Sequence, residues 1–398
     1  MKLANRMSKI QFSPIRRFHP YYLEAVNHGK KVYCFNIGQP DVVTPTVFMD
    51  SIKSCCDPVL GYTPSQGIPE LITAVQDYYK RYDMNFEDNE IIITSGGSEA
   101  ISFIFASILN EGDEVLMAEP FYTNYLVFAG YFNANIVPIP TKAEDGFHYA
   151  DPEKIEKLIT PRTKAIMVNS PSNPTGNVLT ADEMKMILAL AKKHDILVIA
   201  DEVYREFVYD GEPLTSFGQH MKGYEDNLVI VDSISKRFSA CGARIGELLT
   251  KNKELLSSCM KLAQGRLSTP TLEQKGAVSL YSLDESYFNE VREEYQRRRD
   301  VAIEEINKIE GAVCQKPKGS FYITIKLPIE SAEDFLIFML TEFDDKGETT
   351  MFAPAEGFYA TPGMGKNEIR IAYVLNENEI RRGIEILNLG LIAYKNKK

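Results

Sequence analysis

Lys236 stands in Asp232-Ser233-Ile234-Ser235-Lys236-Arg237-Phe238, directly after the apolar run NLVIV, and Arg244 follows eight residues later. Two hydroxyls, an arginine and an amine at the end of a strand make a phosphate site with a nucleophile at its mouth. Upstream, Ser95-Gly96-Gly97-Ser98 follows EIIIT and opens a helical pattern. Glycines let the backbone approach an anion, and a helix N-terminus offers free N–H groups, although turns that bind nothing use the same residues. Asn169-Ser170-Pro171-Ser172-Asn173-Pro174-Thr175-Gly176 follows TKAIMVN and presents, in Asn173, both a donor and an acceptor. Asp201-Glu202-Val203-Tyr204 follows DILVIA and sets a carboxylate and a phenol at another strand end.

Residues so far apart in sequence meet only if the fold brings strand ends together. The apolar runs at 90–94, 113–118, 163–169, 195–201 and 227–233 alternate with segments such as SEAISFIFASIL and TADEMKMILALAKKH, whose apolar residues recur three and four apart. Thr180 and Glu183 form a capping-box pattern at the start of the second of these. Alternating strand and helix predicts an α/β fold with a mainly parallel sheet covered by helices. Open sheets of this kind bind ligands at the carboxyl ends of their strands. Beyond residue 285 the pattern changes. ESYFNEVREEYQRRRDVAIEEINKI predicts one long helix, and FYITIKL, AEDFLIFMLTEF, MFAP and EIRIAYV predict a smaller α+β domain. The expected division is an N-terminal segment, 1–45, packing on the small domain or a partner subunit, a large domain, 46–285, and a small C-terminal domain, 286–398. Arg297-Arg298-Arg299 reads as a solvated helix face balanced by Glu290, Glu293 and Glu294.

Across 398 residues, 44 Lys and Arg against 55 Asp and Glu leave a net charge of −11. That balance argues against nucleic acid or an anionic membrane as a partner. The six cysteines and five histidines have no metal-ligand spacing, so no metal is expected. MKLANRMSKIQFSP lacks an apolar signal region, and no run of about 18 apolar residues occurs. A cytoplasmic location is the expectation.

Taken in chain order, Gly-Gly-Ser at 96–98, the aromatics of Glu119–Tyr125, Asn-Pro-Thr-Gly at 173–176, Asp201-x-x-Tyr204, Ser233-x-Ser235-Lys236 and Arg244 resemble the class I and II aminotransferases. These are pyridoxal 5'-phosphate enzymes of fold type I, the aspartate-aminotransferase-like kind. The resemblance runs from Phe35 (FNIGQPDVVTP) to Ile371 (EIRIAYV) and includes Gly61-Tyr62-Thr63-Pro64-Ser65-Gln66-Gly67. It implies a Schiff base on Lys236, with Lys236, Asp201 and Tyr204 catalytic. Asp201 would hold the proton of the cofactor's ring nitrogen, because an adjacent carboxylate raises that pKa. Tyr204 and Asn173 would hydrogen-bond the ring oxygen. Tyr122 would stack on the ring, while Phe121 packs inward. Gly97, Ser98, Ser233, Ser235 and Arg244 would hold the phosphate, joined by Tyr62 from the neighbouring subunit of a homodimer. Arg370 and Asn173 would bind the substrate's α-carboxylate, for which a planar guanidinium fork suits better than lysine. The backbone around Gly38 would close over it, and Arg266 is the candidate for a distal carboxylate.

The chain departs from the family at 353–366, where the segment is shortened and altered. Gly363-Met364-Gly365-Lys366 within it lacks the spacing and the Ser or Thr of a P-loop and reads as a turn. Ser98 stands where one aspartate-using subgroup carries lysine. The expected reaction moves an α-amino group between an aspartate-, glutamate- or alanine-type amino acid and 2-oxoglutarate, with aromatic amino acids as a substrate variant. A C–S β-lyase or another fold-type I enzyme is the alternative. A transcription regulator would need a DNA-binding extension, for which the residues before Phe35 are too few.

Overall fold

Twelve strands sort into three sheets in the computed structural model, which describes residues 1, 3–8 and 10–397. In chain order they are β1 (Lys31–Cys34), β2 (Ile91–Thr94), β3 (Glu114–Glu119), β4 (Asn135–Pro140), β5 (Thr163–Asn169), β6 (Leu197–Asp201), β7 (Leu228–Ser233), β8 (Gly246–Thr250), β9 (Tyr322–Lys326), β10 (Glu348–Met351), β11 (Ala353–Pro354) and β12 (Glu368–Ala372). Seven of them form the central sheet, in the order β2-β8-β7-β6-β5-β3-β4. Six run parallel to one another, and β8 lies antiparallel between β2 and β7. The α/β fold read from the alternating pattern is therefore the fold observed.

Burial explains the run composition. Every residue of β6 and β7 is buried, and helices cover both faces, so these strands read as continuous apolar runs rather than as alternation. The helix Ala181–Lys193 starts at the expected box: Thr180 Oγ1 accepts the Glu183 N–H at 3.3 Å, and Glu183 Oε2 accepts the Thr180 N–H at 2.7 Å. Two strands of this sheet escape the apolar-run reading. β4, NIVPIP, carries two prolines and pairs with β3 alone, the edge position that proline tolerates. β8 is separated from β7 only by two short helical turns, Ile234–Arg237 and Cys241–Ala243.

A second core is built from the helix Glu285–Ile306, the antiparallel sheet β11-β12-β9 and the helix Glu377–Lys397. The start of the chain joins this core. β1 pairs parallel with β10, Lys31 opposite Glu348, and Phe18, Tyr33 and Phe35 are buried in the same cluster. The arginine run corrects the expectation of a solvated face. Arg297 is exposed, but Arg298 and Arg299 lie on the buried side of their helix. Half of their counter-charges come from distant segments: Arg298 pairs with Asp41 at 2.5 Å as well as Glu294 at 2.7 Å, and Arg299 with Asp210 at 2.8 Å as well as Asp300 at 2.9 Å. A 22-residue helix wedged between layers hides more of its circumference than its charged composition suggests. Among the described residues, no helix is long and apolar enough to cross a membrane.

Candidate active site

The carboxyl ends of β5, β6 and β7 and the N-terminus of the helix Gly97–Ile108 open onto one cavity of about 620 Å³. Lys236 reaches it from a four-residue helix, Ile234–Arg237, that follows β7 at once. Ser233 caps that helix, its Oγ accepting the Ser235 N–H at 3.0 Å and lying 2.6 Å from Ser235 Oγ. Lys236 Nζ donates to the Gly38 carbonyl at 2.8 Å, with Cys241 Sγ 3.8 Å away. Gly38 must be glycine here, because a Cβ would collide with the Tyr322 hydroxyl.

The Ser95–Ser98 turn and Arg244 fit each other in the same way. Gly96 adopts φ +77°, and a side chain at that position would strike the Arg244 guanidinium. Arg244 itself is left-handed, φ 55°, which folds its side chain back to donate to the carbonyls of Cys241 at 2.9 Å and Ser95 at 3.3 Å. Ser98, Ser233, Ser235 and the Gly97 backbone line the same end of the cavity.

Asp201 ends β6 and is buried. Burial pushes its carboxyl up to about 6, against the opposing effect of the Tyr125 hydroxyl, which donates to Oδ2 at 2.6 Å, and of the Val203 N–H at 3.3 Å. Asn169 ties two strand ends together: its amide donates to the Asp201 carbonyl at 2.9 Å, and its Oδ1 accepts the Asn173 N–H at 2.7 Å. Tyr204 and Tyr322 share a hydrogen bond of 3.0 Å, and burial holds the Tyr204 phenol well above its usual range.

Arg370 lies mid-strand in β12, opposite Thr324 of β9, and is 2% exposed. Its guanidinium stands over the rings of Tyr322, at 4.6 Å, and Phe358, at 5.1 Å. It donates to Asn173 Oδ1 at 3.2 Å and to the Asn36 carbonyl, while its Nε has no partner. Burial pulls its pKa down, because the charged form has lost water without gaining a carboxylate.

Twelve of the residues singled out in the sequence line this cavity: Gly38, Gly97, Ser98, Tyr122, Asn173, Asp201, Tyr204, Ser233, Ser235, Lys236, Arg244 and Arg370. Phe121 packs inward, 4% exposed, and leaves Tyr122 to the cavity. Two residues are not brought there. Tyr62 is 84% exposed and lies off the cavity wall. Arg266 ends the helix Lys253–Arg266, where Glu99 sits 3.4 Å away and the Ile93 carbonyl accepts from it at 3.0 Å. Arg266 does not line this chain's cavity, where a distal carboxylate was expected to meet it. Residues not anticipated are Asn36, Tyr125, Tyr322 and Arg16. Tyr125 stood three residues from Tyr122 in the same aromatic motif; Arg16 lies in no motif at all.

The cavity wall holds four cations, Arg16, Lys236, Arg244 and Arg370, against one carboxylate, Asp201. Among the described residues none of the four forms an ion pair; Lys236, Arg244 and Arg370 rest on neutral groups, chiefly carbonyl and amide oxygens. The arrangement is an anion receptor with an amine at its centre.

The family described as aminotransferase class I and II matches residues 30–387. The chain belongs to the class I and II aminotransferases. A curated relative from Aquifex aeolicus, named a probable aspartate/prephenate aminotransferase, is 32% identical over 397 residues, 98% of each chain. An alanine aminotransferase from Pyrococcus furiosus superposes with a TM-score of 0.90 at 27% identity, covering 98% of this chain and all of that one. An aspartate aminotransferase from Thermus thermophilus, solved with maleate, gives 0.87 at 27% identity over the same shares. This aminotransferase is thus a pyridoxal-phosphate-dependent transaminase of fold type I. The donor set suits that cofactor: clustered hydroxyls, backbone N–H groups and a guanidinium for a phosphate dianion, an amine for an aldehyde, and a buried carboxyl for a ring nitrogen.

Proposed function

We propose that this aminotransferase exchanges the α-amino group of an aspartate-, glutamate- or alanine-type L-amino acid with 2-oxoglutarate. The observation that carries the reading is the set of cavity cations resting on neutral oxygens, since both substrates are anions and the cofactor is another. Bound pyridoxal phosphate supplies an aldehyde that takes up the amino group and a ring that accepts electron density.

The remaining work falls to side chains of this chain. Lys236 holds the cofactor through Nζ, then takes the proton from the substrate's Cα and returns it on the far side of the transfer. Asp201 keeps the ring nitrogen protonated. A positive ring beside it favours its ionised form and reverses the upward push of burial. Tyr204 and Asn173 hydrogen-bond the ring oxygen, and Tyr122 stacks on the ring. Gly97, Ser98, Ser233, Ser235 and Arg244 hold the phosphate. Arg370 takes the α-carboxylate, and its unpartnered Nε gives it an unused donor for that purpose. Gly38 releases Lys236 when the cofactor binds. The same reading makes the enzyme a homodimer, in which the exposed Tyr62 reaches the neighbouring phosphate. It divides the chain at residues 45 and 285, and its six free thiols agree with a cytoplasmic location.

A panel of amino donors against 2-oxoglutarate tests the reaction. Glutamate or aspartate without a keto acid should convert the holoenzyme's absorbance to that of the aminated cofactor, and Lys236→Ala should lower turnover by about 10⁴-fold. Release of pyruvate and ammonia from a cysteine-type donor in place of transfer would replace the reading with elimination.

A further inference from the structure

The anions named so far account for two of the three arginines in the cavity wall. Arg244 lies at the phosphate end and Arg370 has its α-carboxylate, while Lys236 is committed to the cofactor. Arg16 is left over. Its side chain makes no ion pair or hydrogen bond among the described residues, although its backbone is well fixed. The Arg16 N–H donates to Ser13 Oγ at 3.3 Å, Arg17 pairs with Glu333, and Phe18 is buried, 4% exposed. On the other side, Ile15 packs on the cluster of Ala353, Ala355, Phe358 and Tyr359, and Pro14 fills the space beside Gly357. The altered segment at 353–366 is thus the seat on which this stretch rests. Phe358 belongs both to that seat and to the aromatic pair enclosing Arg370. Tyr122 lies in the field of both guanidiniums. Burial raises its phenol to about 12, and the charges of Arg370 and Arg16 both act against that rise.

We infer that Arg16 is the specificity residue for the second carboxylate of dicarboxylic substrates, both the amino donor and 2-oxoglutarate. The inference rests on the transaminase reading above and narrows its substrate class. An exposed arginine on a fixed backbone, facing a cavity whose one carboxylate, Asp201, forms no ion pair with it, supplies a charge-assisted contact that a monocarboxylic amino acid cannot use. Because the distal carboxylate is gripped alike before and during proton transfer, the loss on removing Arg16 should fall on KM more than on kcat.

The test uses holoenzyme and single half-reactions, followed by cofactor absorbance, with glutamate, aspartate and alanine as separate donors. In Arg16→Gln the ratio of kcat/KM for glutamate over alanine should fall about 10- to 100-fold. Arg16→Lys should recover part of it, and Arg16→Asp should turn preference toward a donor with a cationic side chain such as lysine. Maleate, a dicarboxylate that cannot react, should bind Arg16→Gln more weakly by a similar factor in an absorbance titration. A glutamate-to-alanine ratio within about twofold of wild type in Arg16→Gln overturns the inference and leaves the transaminase reading standing. A wild-type enzyme that reacts with alanine but with no dicarboxylic donor overturns the inference and the dicarboxylate part of that reading together. Full transamination by Lys236→Ala would instead strike at the cavity's assigned chemistry.

Discussion

Lys236 and Arg237 are neighbours in sequence and belong to two charge clusters built on opposite rules. Behind the short helix, Glu202, Arg205, Glu206, Asp232, Arg237 and Glu247 are all buried. Each guanidinium there faces carboxylates: Arg237 meets Asp232, and Arg205 meets Glu202 at 3.2 Å and Asp232 at 3.5 Å. Hydroxyls complete the set, Tyr79 donating to Asp232 at 2.8 Å and Tyr281 to Glu247 at 2.6 Å. In the cavity, by contrast, Lys236, Arg244 and Arg370 lean on carbonyl and amide oxygens. A cation loses water throughout the knot and, at Arg370, in the cavity too. A fixed carboxylate neutralises it and makes it part of the scaffold, whereas a neutral oxygen orients it and leaves its charge for a ligand. Arg237 and Arg370 are both buried arginines, so neither residue type nor burial separates those two; the chemistry of the partner does.

Breaking the buried knot should have the largest effect. Arg237→Ala leaves Asp232 and Glu206 short of a counter-charge and is expected to cost about 3–5 kcal/mol of stability, measured by denaturant unfolding. Arg370→Lys probes the other rule. It should lower kcat/KM roughly 100-fold, about 3 kcal/mol, while costing much less stability than Arg237→Ala. Equal destabilisation by the two substitutions would erase the distinction.

The smallest effect belongs to Glu247 at mildly acidic pH. Burial first, and then the charge of Asp232, raise its carboxyl from 4.5 to about 8, while Arg237, Arg205 and the Tyr281 hydroxyl oppose the rise. Folding must therefore load onto Glu247 a proton that the unfolded chain releases above pH 4.5, so this group's contribution to stability declines as pH rises from 4.5 through 8. Glu247→Gln needs no such proton. Its gain over wild type should be below about 1 kcal/mol at pH 5 and widen toward pH 8, measured by unfolding at fixed pH values.

Much of the cavity was legible because its residues sit at the ends of apolar runs. Asp201 ends β6, Asn173 and Lys236 follow β5 and β7 within a few positions, and a run of buried residues is visible in composition. The roles proposed for them come from the likeness to the family motifs. What the sequence hid depends on pairing across distance. Arg205 and Arg237 look like surface charges until β6 and β7 lie side by side. Arg298 and Arg299 find Asp41 and Asp210 only in the folded chain. Arg16 is a member of no motif, and it faces the cavity because Pro14 and Ile15 dock on residues more than three hundred positions away. Nor did the sequence show that Arg266 lies beside Glu99 and off the cavity wall.

The four-residue helix Ile234–Arg237 has a consequence for how this sequence can drift. Successive side chains on a helix diverge by about 100°, so one turn sends Lys236 into the cavity and Arg237 into the knot. Heritable change at 237 is thereby tied to Asp232, Arg205 and Glu206, and it must travel with compensating change there. Change at Arg16 is free of that bond, so under the specificity role proposed for it, one substrate can be exchanged for another there while the foundation under Lys236 stays as it was.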